Sequence, residues 1–210
     1  MRILLATTNR GKIAELKQIM GKKSIDLIGL SDSKSTEPLE TGSTFAENAL
    51  LKATHYHRLA GIPTIADDSG LEVEALDGAP GVHSARYTGS GADDHARVAK
   101  LLEEMKDVPA KRRGARFVCA AAIVWDGGQK VVLEEVRGMI LENARGHNGF
   151  GYDPIFFYEP LGKTFAELAP NEKAKVSHRG RAFRQLAGWL SQSGVLDTPS
   201  STDRIVTTAD

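Results

Sequence analysis

Apolar residues run unbroken from Ile3 to Ala6 and give way at once to Thr7-Thr8-Asn9, after which Ile13, Leu16, Ile19 and Met20 recur at helical spacing. The pattern predicts a strand, a tight loop and a helix. Ile25 to Leu30 predicts a second strand. Thr44 stands three residues before Glu47, the spacing of a capping box, and Phe45, Ala49, Leu50 and Ala53 follow. A long helix is therefore expected up to Ala60, stopped by Gly61 and Pro63. Thr64 to Ala66 predicts a buried strand ending in Asp67-Asp68-Ser69-Gly70. Asp93-Asp94 is placed to cap a helix carrying Val98, Leu101, Leu102 and Met105. Arg116 to Trp125, the turn Asp126-Gly127-Gly128 and Lys130 to Leu141 form the pattern of a long antiparallel hairpin. Ser177 can cap a last helix bearing Phe183, Leu186, Ala187 and Leu190.

The order β-α-β-α-β, then helix, hairpin and helix, predicts an α/β fold: a mixed twisted sheet with a long antiparallel hairpin and helices on its faces. The hairpin departs from a purely doubly wound arrangement and is expected to build a second lobe, with the two lobes flanking a substrate cleft. No polar linker interrupts the chain, so residues 1–196 are expected to form a single two-lobed domain. Residues 197–210, rich in serine, threonine and aspartate, are expected to form a flexible tail.

Composition narrows the classes. The 210 residues are 41% hydrophobic and 26% charged, the balance of a globular chain. Lysine plus arginine and aspartate plus glutamate are both 27, giving zero net charge. That argues against bulk electrostatic binding to nucleic acid or an acidic membrane, and leaves room only for a local basic patch. The lone Cys119 rules out a disulfide framework and a cysteine zinc site, and its apolar neighbours make it a core residue. The apolar start is too short for a signal peptide, and Phe117 to Trp125 falls well short of the ~20 residues a membrane helix needs. The expectation is a soluble, cytoplasmic protein.

Four segments carry candidate chemistry. Thr7-Thr8-Asn9-Arg10-Gly11-Lys12 sits where a strand meets a helix, so free N–H groups and the helix dipole favour an anion there. Arg10 and Lys12 oppose that dipole, and something negative should compensate. The loop lacks the GxxxxGK[ST] spacing, and a solvated polar loop is the bland alternative. Asp67-Asp68-Ser69-Gly70 places two carboxylates side by side at the end of a buried strand, which is costly without a compensating cation. Adjacent strand residues face opposite ways, so the two should do different jobs. Hard oxygen ligands beside a phosphate loop suggest Mg2+; a turn or helix cap is the alternative. Glu40, before Thr41-Gly42, is a further candidate ligand. In Gly149-Phe150-Gly151-Tyr152-Asp153-Pro154, Phe150 and Tyr152 are placed to stack on a base and Asp153 to accept a hydrogen bond, unless the segment is an aromatic turn packed on the core. Lys173 and Ser177-His178-Arg179 repeat the anomaly of a helix that begins with cations, with a solvated basic face as the alternative.

Together these stretches resemble the inosine triphosphate pyrophosphatase family, which removes non-canonical purine nucleoside triphosphates. The resemblance rests on Ala6 to Lys12, Glu40-Thr41-Gly42, Phe45-Ala46-Glu47-Asn48-Ala49, Ala66 to Leu71, Gly78-Ala79-Pro80-Gly81 with Ser84-Ala85-Arg86-Tyr87, Gly149 to Pro154, and Glu172-Lys173 with Ser177-His178-Arg179. The segments are individually weak, and their ordered set is specific. Thr8 stands where many relatives have glycine, and the tail after Leu196 has no family counterpart.

The resemblance implies a homodimer that hydrolyses the α–β phosphate link of ITP, dITP and XTP, giving a monophosphate and pyrophosphate. Such an enzyme keeps these nucleotides out of DNA and RNA. By the same resemblance Glu40 and Asp68 bind Mg2+, and Asp68 is the proton acceptor. Thr7, Thr8, Asn9, Arg10, Gly11 and Lys12 hold the triphosphate. Ser69, Phe150, Gly151, Tyr152, Asp153, Lys173, His178 and Arg179 contact the nucleotide. No stable nucleic-acid or membrane partner is implied. Two rival readings are a pyrophosphatase for modified pyrimidine nucleotides and a non-catalytic nucleotide- or RNA-binding module.

Overall fold

The computed structural model describes residues 2–8, 12–13, 16–17, 19, 25–30, 38–89, 91 and 93–195. Asn9, Arg10 and Gly11, Met20 and the tail 197–210 lie outside the described residues. The elements in chain order are β1 (Arg2–Leu5), β2 (Asp26–Gly29), α1 (Phe45–Ala60), β3 (Thr64–Val73), α2 (Asp94–Glu104), β4 (Gly114–Trp125), β5 (Gly128–Ile140), β6 (Phe156–Tyr158), β7 (Lys163–Thr164), α3 (Pro170–Val176) and α4 (His178–Leu190). The described strands form a mixed sheet in the order β2-β1-β3-β4-β5-β6-β7. The predicted α/β class and mixed sheet are therefore observed.

The chain divides into two units. The first draws on Met1–Asp67, Ala120–Val132 and Ala182–Asp210. In it β1 pairs in parallel with β2, from Arg2↔Asp26 to Leu5↔Gly29, and with β3 at Leu4↔Thr64 and Leu5↔Ile65. Helix α1 forms as the spacing predicts. Thr44 Oγ1 accepts from the Glu47 N–H at 3.1 Å, and Glu47 Oε2 accepts from the Ser43 and Thr44 N–H groups at 2.7 and 3.2 Å. Gly61, with φ of 65°, ends the helix in the left-handed conformation that glycine adopts without strain. The buried face of α1 is Phe45, Asn48, Ala49, Lys52, Ala53 and Tyr56. Two of these, Asn48 and Lys52, are polar, which is unusual for a packing face. Trp125 and Trp189 meet with ring centroids 5.6 Å apart.

The second unit comprises Asp68–Cys119 and Leu133–Arg181. Its core gathers Leu71, Val73, Leu101, Met105, Phe117, Val136, Ile140, Tyr152, Phe156 and Phe165 among others. Here β5 pairs antiparallel with β6 at Met139↔Phe157 and Ile140↔Phe156, and β6 with β7 at Phe157↔Thr164. Sheet neighbours β4 and β5 are joined by only Asp126 and Gly127, and so short a connection makes them the predicted antiparallel hairpin. Asp93 caps α2 by accepting from the Ala96 N–H at 2.7 Å, and Ser177 Oγ accepts from the Gly180 N–H at 3.1 Å at the start of α4.

One expectation is corrected. β3 does not stop at Ala66 but continues through Asp67-Asp68-Ser69-Gly70 to Val73. The segment is an internal strand between β1 and β4, so its backbone groups are paired where a turn was the alternative. Further on, Leu71 and Val73 are buried, which holds the strand in place beyond its acidic middle. The sequence pattern also passes over α3, β6 and β7, all of which are seven residues or shorter. Cys119 is fully buried, as expected of a core residue. Among the described residues no helix is long and apolar enough to cross a membrane.

Candidate active site

In the first unit the predicted groups fall into two ion pairs. Lys12 Nζ lies 2.9 Å from Asp67 Oδ2, and the Asp67 side chain is 2% exposed. Asp67 is thus the anion that the dipole-opposing Lys12 called for, and Lys12 is the cation that makes a buried Asp67 tolerable. The two adjacent carboxylates do differ in role, because Asp67 is committed to Lys12. Thr7 and Thr8 follow β1, with the Thr7 N–H donating to the Leu5 carbonyl at 2.8 Å.

Glu40 Oε1 accepts from Lys52 Nζ at 2.8 Å. The loop bearing Glu40 is strapped to the first turns of α1. The Gly42 N–H donates to Asn48 Oδ1 at 2.8 Å, and the Ser43 hydroxyl donates to Glu47 Oε2 at 2.8 Å. A Cβ on Gly42 would stand 2.6 Å from Asn48 Oδ1 and 2.7 Å from the Glu47 Cβ, so only glycine lets the loop approach this closely. The Ser43 hydroxyl and N–H hold the Glu47 carboxyl below its ordinary range.

In the second unit Asp68 and Ser69 sit on β3, with the Ser69 N–H donating to Asp68 Oδ1 at 3.1 Å. Asp68 is buried and Ser69 half-buried. The other predicted nucleotide contacts converge. Asp153 Oδ2 accepts from the Phe150 N–H at 2.9 Å and from Lys173 Nζ. Lys173 Nζ lies 4.7 Å from the Phe150 ring centroid, and the Arg179 guanidinium carbon lies 5.3 Å from it. Both cations are near enough to be held by the ring's quadrupole. A Cβ on Gly149, whose φ is 78°, would collide with Asp153 Oδ2. His178 stacks on Phe117, centroids 4.6 Å apart and planes 9° apart.

Phe150 and Tyr152 separate clearly. Phe150 is 38% exposed, while Tyr152 is 4% exposed and belongs to the core. The Tyr152 hydroxyl donates to the Ser84 carbonyl at 3.1 Å, and burial pushes its pKa up. Of the two rings, Phe150 is the one with a surface to offer a base. Lys173, grouped with Ser177-His178-Arg179 in the sequence, lies on the separate helix α3.

Among the described residues no three His, Cys, Asp or Glu side chains gather in a cluster suited to a metal ion. Glu40 in the first unit and Asp68 in the second each carry the hard carboxylate oxygens that Mg2+ takes, a metal that commonly binds through one or two carboxylates completed by substrate phosphate.

A model of the Ham1 family matches residues 3–189, a span that includes every candidate site residue. The chain belongs to the Ham1 family. A dITP/XTP pyrophosphatase of Geobacillus kaustophilus is 48% identical to it over 186 residues, 88% of this chain and 91% of the relative. Among solved structures, the Staphylococcus aureus Ham1 protein is similar with a TM-score of 0.84 and 40% identity, covering 92% of this chain and all (100%) of that one. A nucleoside-triphosphatase / dITP/XTP pyrophosphatase from Mycobacterium abscessus has a TM-score of 0.73 at 46% identity, covering 89% of this chain and 98% of its own.

Within this Ham1 chain, three residues at or near the candidate site had escaped the sequence reading. Lys52 carried a visible signal, a lysine on the apolar stripe of a helix, which is rare without a buried partner. Asn48 carried the same signal one turn earlier. Asp94 carried none, because it reads as part of a helix cap and its contact lies 57 residues away at Gly151.

Proposed function

We propose that this Ham1 protein is a dITP/XTP pyrophosphatase that converts dITP, ITP and XTP to the monophosphate and pyrophosphate, keeping these nucleotides out of DNA and RNA. The observation that carries the reading is the 48% identity to a dITP/XTP pyrophosphatase over 88% of this chain, beside a family match over residues 3–189 that takes in all four candidate segments. Residues 1–196 form its two-lobed catalytic domain, 197–210 its tail, and it acts in the cytoplasm as a homodimer.

The chemistry follows from the residues. A water oxygen attacks the α-phosphorus, the bond from that phosphorus to the α–β bridging oxygen breaks, and pyrophosphate departs. Asp68 accepts the proton the water loses. A carboxylate is a weak base near neutrality, so this transfer needs a water already made acidic. Glu40 and Asp68 would be the residues to hold Mg2+, which when bound would supply that acidity and neutralise phosphate charge. Lys12 and the N–H groups of the Thr7–Lys12 loop, including Asn9, Arg10 and Gly11, stabilise the charge on the leaving pyrophosphate. Lys12 makes this contact from its ion pair with Asp67, which fixes its ammonium in place beforehand. Lys52 does the same for Glu40 by holding its carboxylate in one orientation.

Base selection belongs to the second unit. Phe150 stacks on the purine, with Ser69, Gly151, Tyr152 and His178 completing the surroundings. Inosine and xanthine carry a 6-oxo acceptor where adenine carries a 6-amino donor. Arg179 and Lys173 offer donors, so an oxo group is bonded and an amino group would leave those donors unmatched. Asp153 holds Lys173 at its post.

The test is a product assay with Mg2+ and, separately, dITP, ITP, XTP, dATP, dGTP and dTTP. Pyrophosphate from the inosine and xanthine nucleotides, and none from dATP or dTTP, is the expected result. Orthophosphate without pyrophosphate, with contaminating pyrophosphatase excluded, would mean cleavage of a terminal phosphate and would overturn the mechanism. No product from any nucleotide would favour a binding module.

A further inference from the structure

Helix α2 carries a polar stripe whose members reach out to loops of their own unit. Asp94, Arg97, Lys100 and Glu104 recur at spacings of three, three and four, which places them along one face. Arg97 Nη1 donates to the Ala85 carbonyl at 3.0 Å, and Lys100 Nζ donates to the Tyr87 carbonyl at 2.8 Å. The Tyr87 hydroxyl in turn donates to Glu104. The stripe thereby clamps the Ser84–Tyr87 segment.

Asp94 works on a different loop. Its Oδ2 accepts from the Gly151 N–H at 2.7 Å, and its Oδ1 accepts from Arg97. Helix capping does not need this side chain, because Asp93 is the N-cap. Burial pushes the Asp94 carboxyl up, and the Gly151 N–H and Arg97 outweigh that and hold it below its ordinary range. The loop that carries Phe150 is thus anchored by two aspartates. Asp153 takes the Phe150 N–H from inside the loop, and Asp94 takes the next N–H from outside it. Gly151 has φ of 62°, a conformation that turns its N–H towards that outside anchor and that other residues adopt with strain. Losing the inner anchor would also release Lys173. Losing the outer one would leave the Asp153–Lys173 pair in place and free only the placement of the ring.

We infer that Asp94 is a positioning residue for nucleobase recognition: by accepting from the Gly151 N–H it sets where the Phe150 ring stands, without touching substrate itself. The inference rests on the pyrophosphatase reading, in which Phe150 stacks on the purine. Its effect belongs in KM, because the ring meets the base equally in the ground and transition states.

The experiment compares Asp94→Ala and Asp94→Asn, alone and in a Phe150→Ala background, by steady-state kinetics with dITP and Mg2+. Thermal unfolding and hydrogen exchange at the Gly151 amide are measured alongside. Asp94→Ala is expected to raise KM about tenfold, the scale of one hydrogen bond to a charged group, with kcat changed by less than about twofold. Asp94→Asn keeps an acceptor oxygen and should recover most of the loss. In the Phe150→Ala background Asp94→Ala should change KM by less than about twofold, because the ring it positions is gone. Faster Gly151 exchange in Asp94→Ala supports the anchor independently of substrate. Unchanged KM in Asp94→Ala, additivity with Phe150→Ala, or no recovery by asparagine would each overturn the inference while leaving the pyrophosphatase reading intact. A wild-type protein that releases no pyrophosphate from dITP would instead overturn that reading and this inference with it.

Discussion

Among the described residues, the buried carboxylates Asp67 and Asp153 are each held by a lysine, Lys12 and Lys173. Asp67 and Asp68 are adjacent in sequence, yet Asp67 is spent on Lys12. Asp68 is the carboxylate to which the proposed mechanism gives the proton. Asp68→Asn keeps the size and removes the basic oxygen, so kcat for dITP should fall about a hundredfold or more while KM moves little. Comparable turnover in that variant would remove Asp68 from the mechanism. A second residue-scale effect concerns pH. Burial, and then Glu104, push the Tyr87 hydroxyl up to about 12 from the ordinary 10.0. The folded protein therefore keeps a proton that the unfolded chain releases above 10. The stability this group contributes is complete below pH 10 and is lost as pH rises through 12. Tyr87→Phe should lessen the fall of Tm across that interval, and an unchanged fall would assign it to other groups such as Tyr152.

Elements are held to one another by single residues that do more than their type suggests. Gly42 allows the Glu40 loop to lie against α1, and the Asn48 amide and the Glu47 carboxylate then take its N–H groups. Gly42→Ala should push the loop off the helix, costing about 1–3 kcal/mol in urea unfolding and weakening activity by displacing Glu40. Retained stability and activity would mean that the neighbours yield at little cost. Arg113 is the counterpart in the second unit. It is 3% exposed, and its guanidinium donates to the carbonyls of Met105, Val108, Ile140 and Leu141. It ties the exit of α2 to the end of β5. Arg113→Leu would leave these buried acceptors unmatched and should cost about 3 kcal/mol or more in urea unfolding. A loss below about 1 kcal/mol would show that water replaces the guanidinium.

At the scale of the whole molecule, the neutral net charge leaves recognition of an anionic substrate to a few placed cations rather than to a general field. Two of them, Lys12 and Lys173, are paired with carboxylates, so under the proposed function binding the nucleotide would mean sharing Lys12 with Asp67 at the phosphates and Lys173 with Asp153 at the base. Metal is expected to shift that balance. Pyrophosphate release from dITP should vanish on chelation and return with added Mg2+. Turnover that survives chelation would remove Glu40 and Asp68 as metal ligands.

The sequence by itself determined the caps, the hairpin, the first two strands and the order of the chemistry-bearing segments. These depend on near neighbours: Thr44 with Glu47, Ser177 with Gly180, and two turn residues between long apolar strands. Ham1 membership was legible for the same reason, since it rests on short motifs in a fixed order. Only the tertiary structure decided that β3 runs on through Asp67 and Asp68, because strand continuation depends on flanking strands that a local pattern does not contain. It also decided which of Phe150 and Tyr152 faces outward, that Lys12 belongs to Asp67 and Lys173 to Asp153, and that Asp94 reaches Gly151. The last three are pairings across 20 to 57 residues. The identity of a side chain states what it can bond, and only the fold states what is brought within reach.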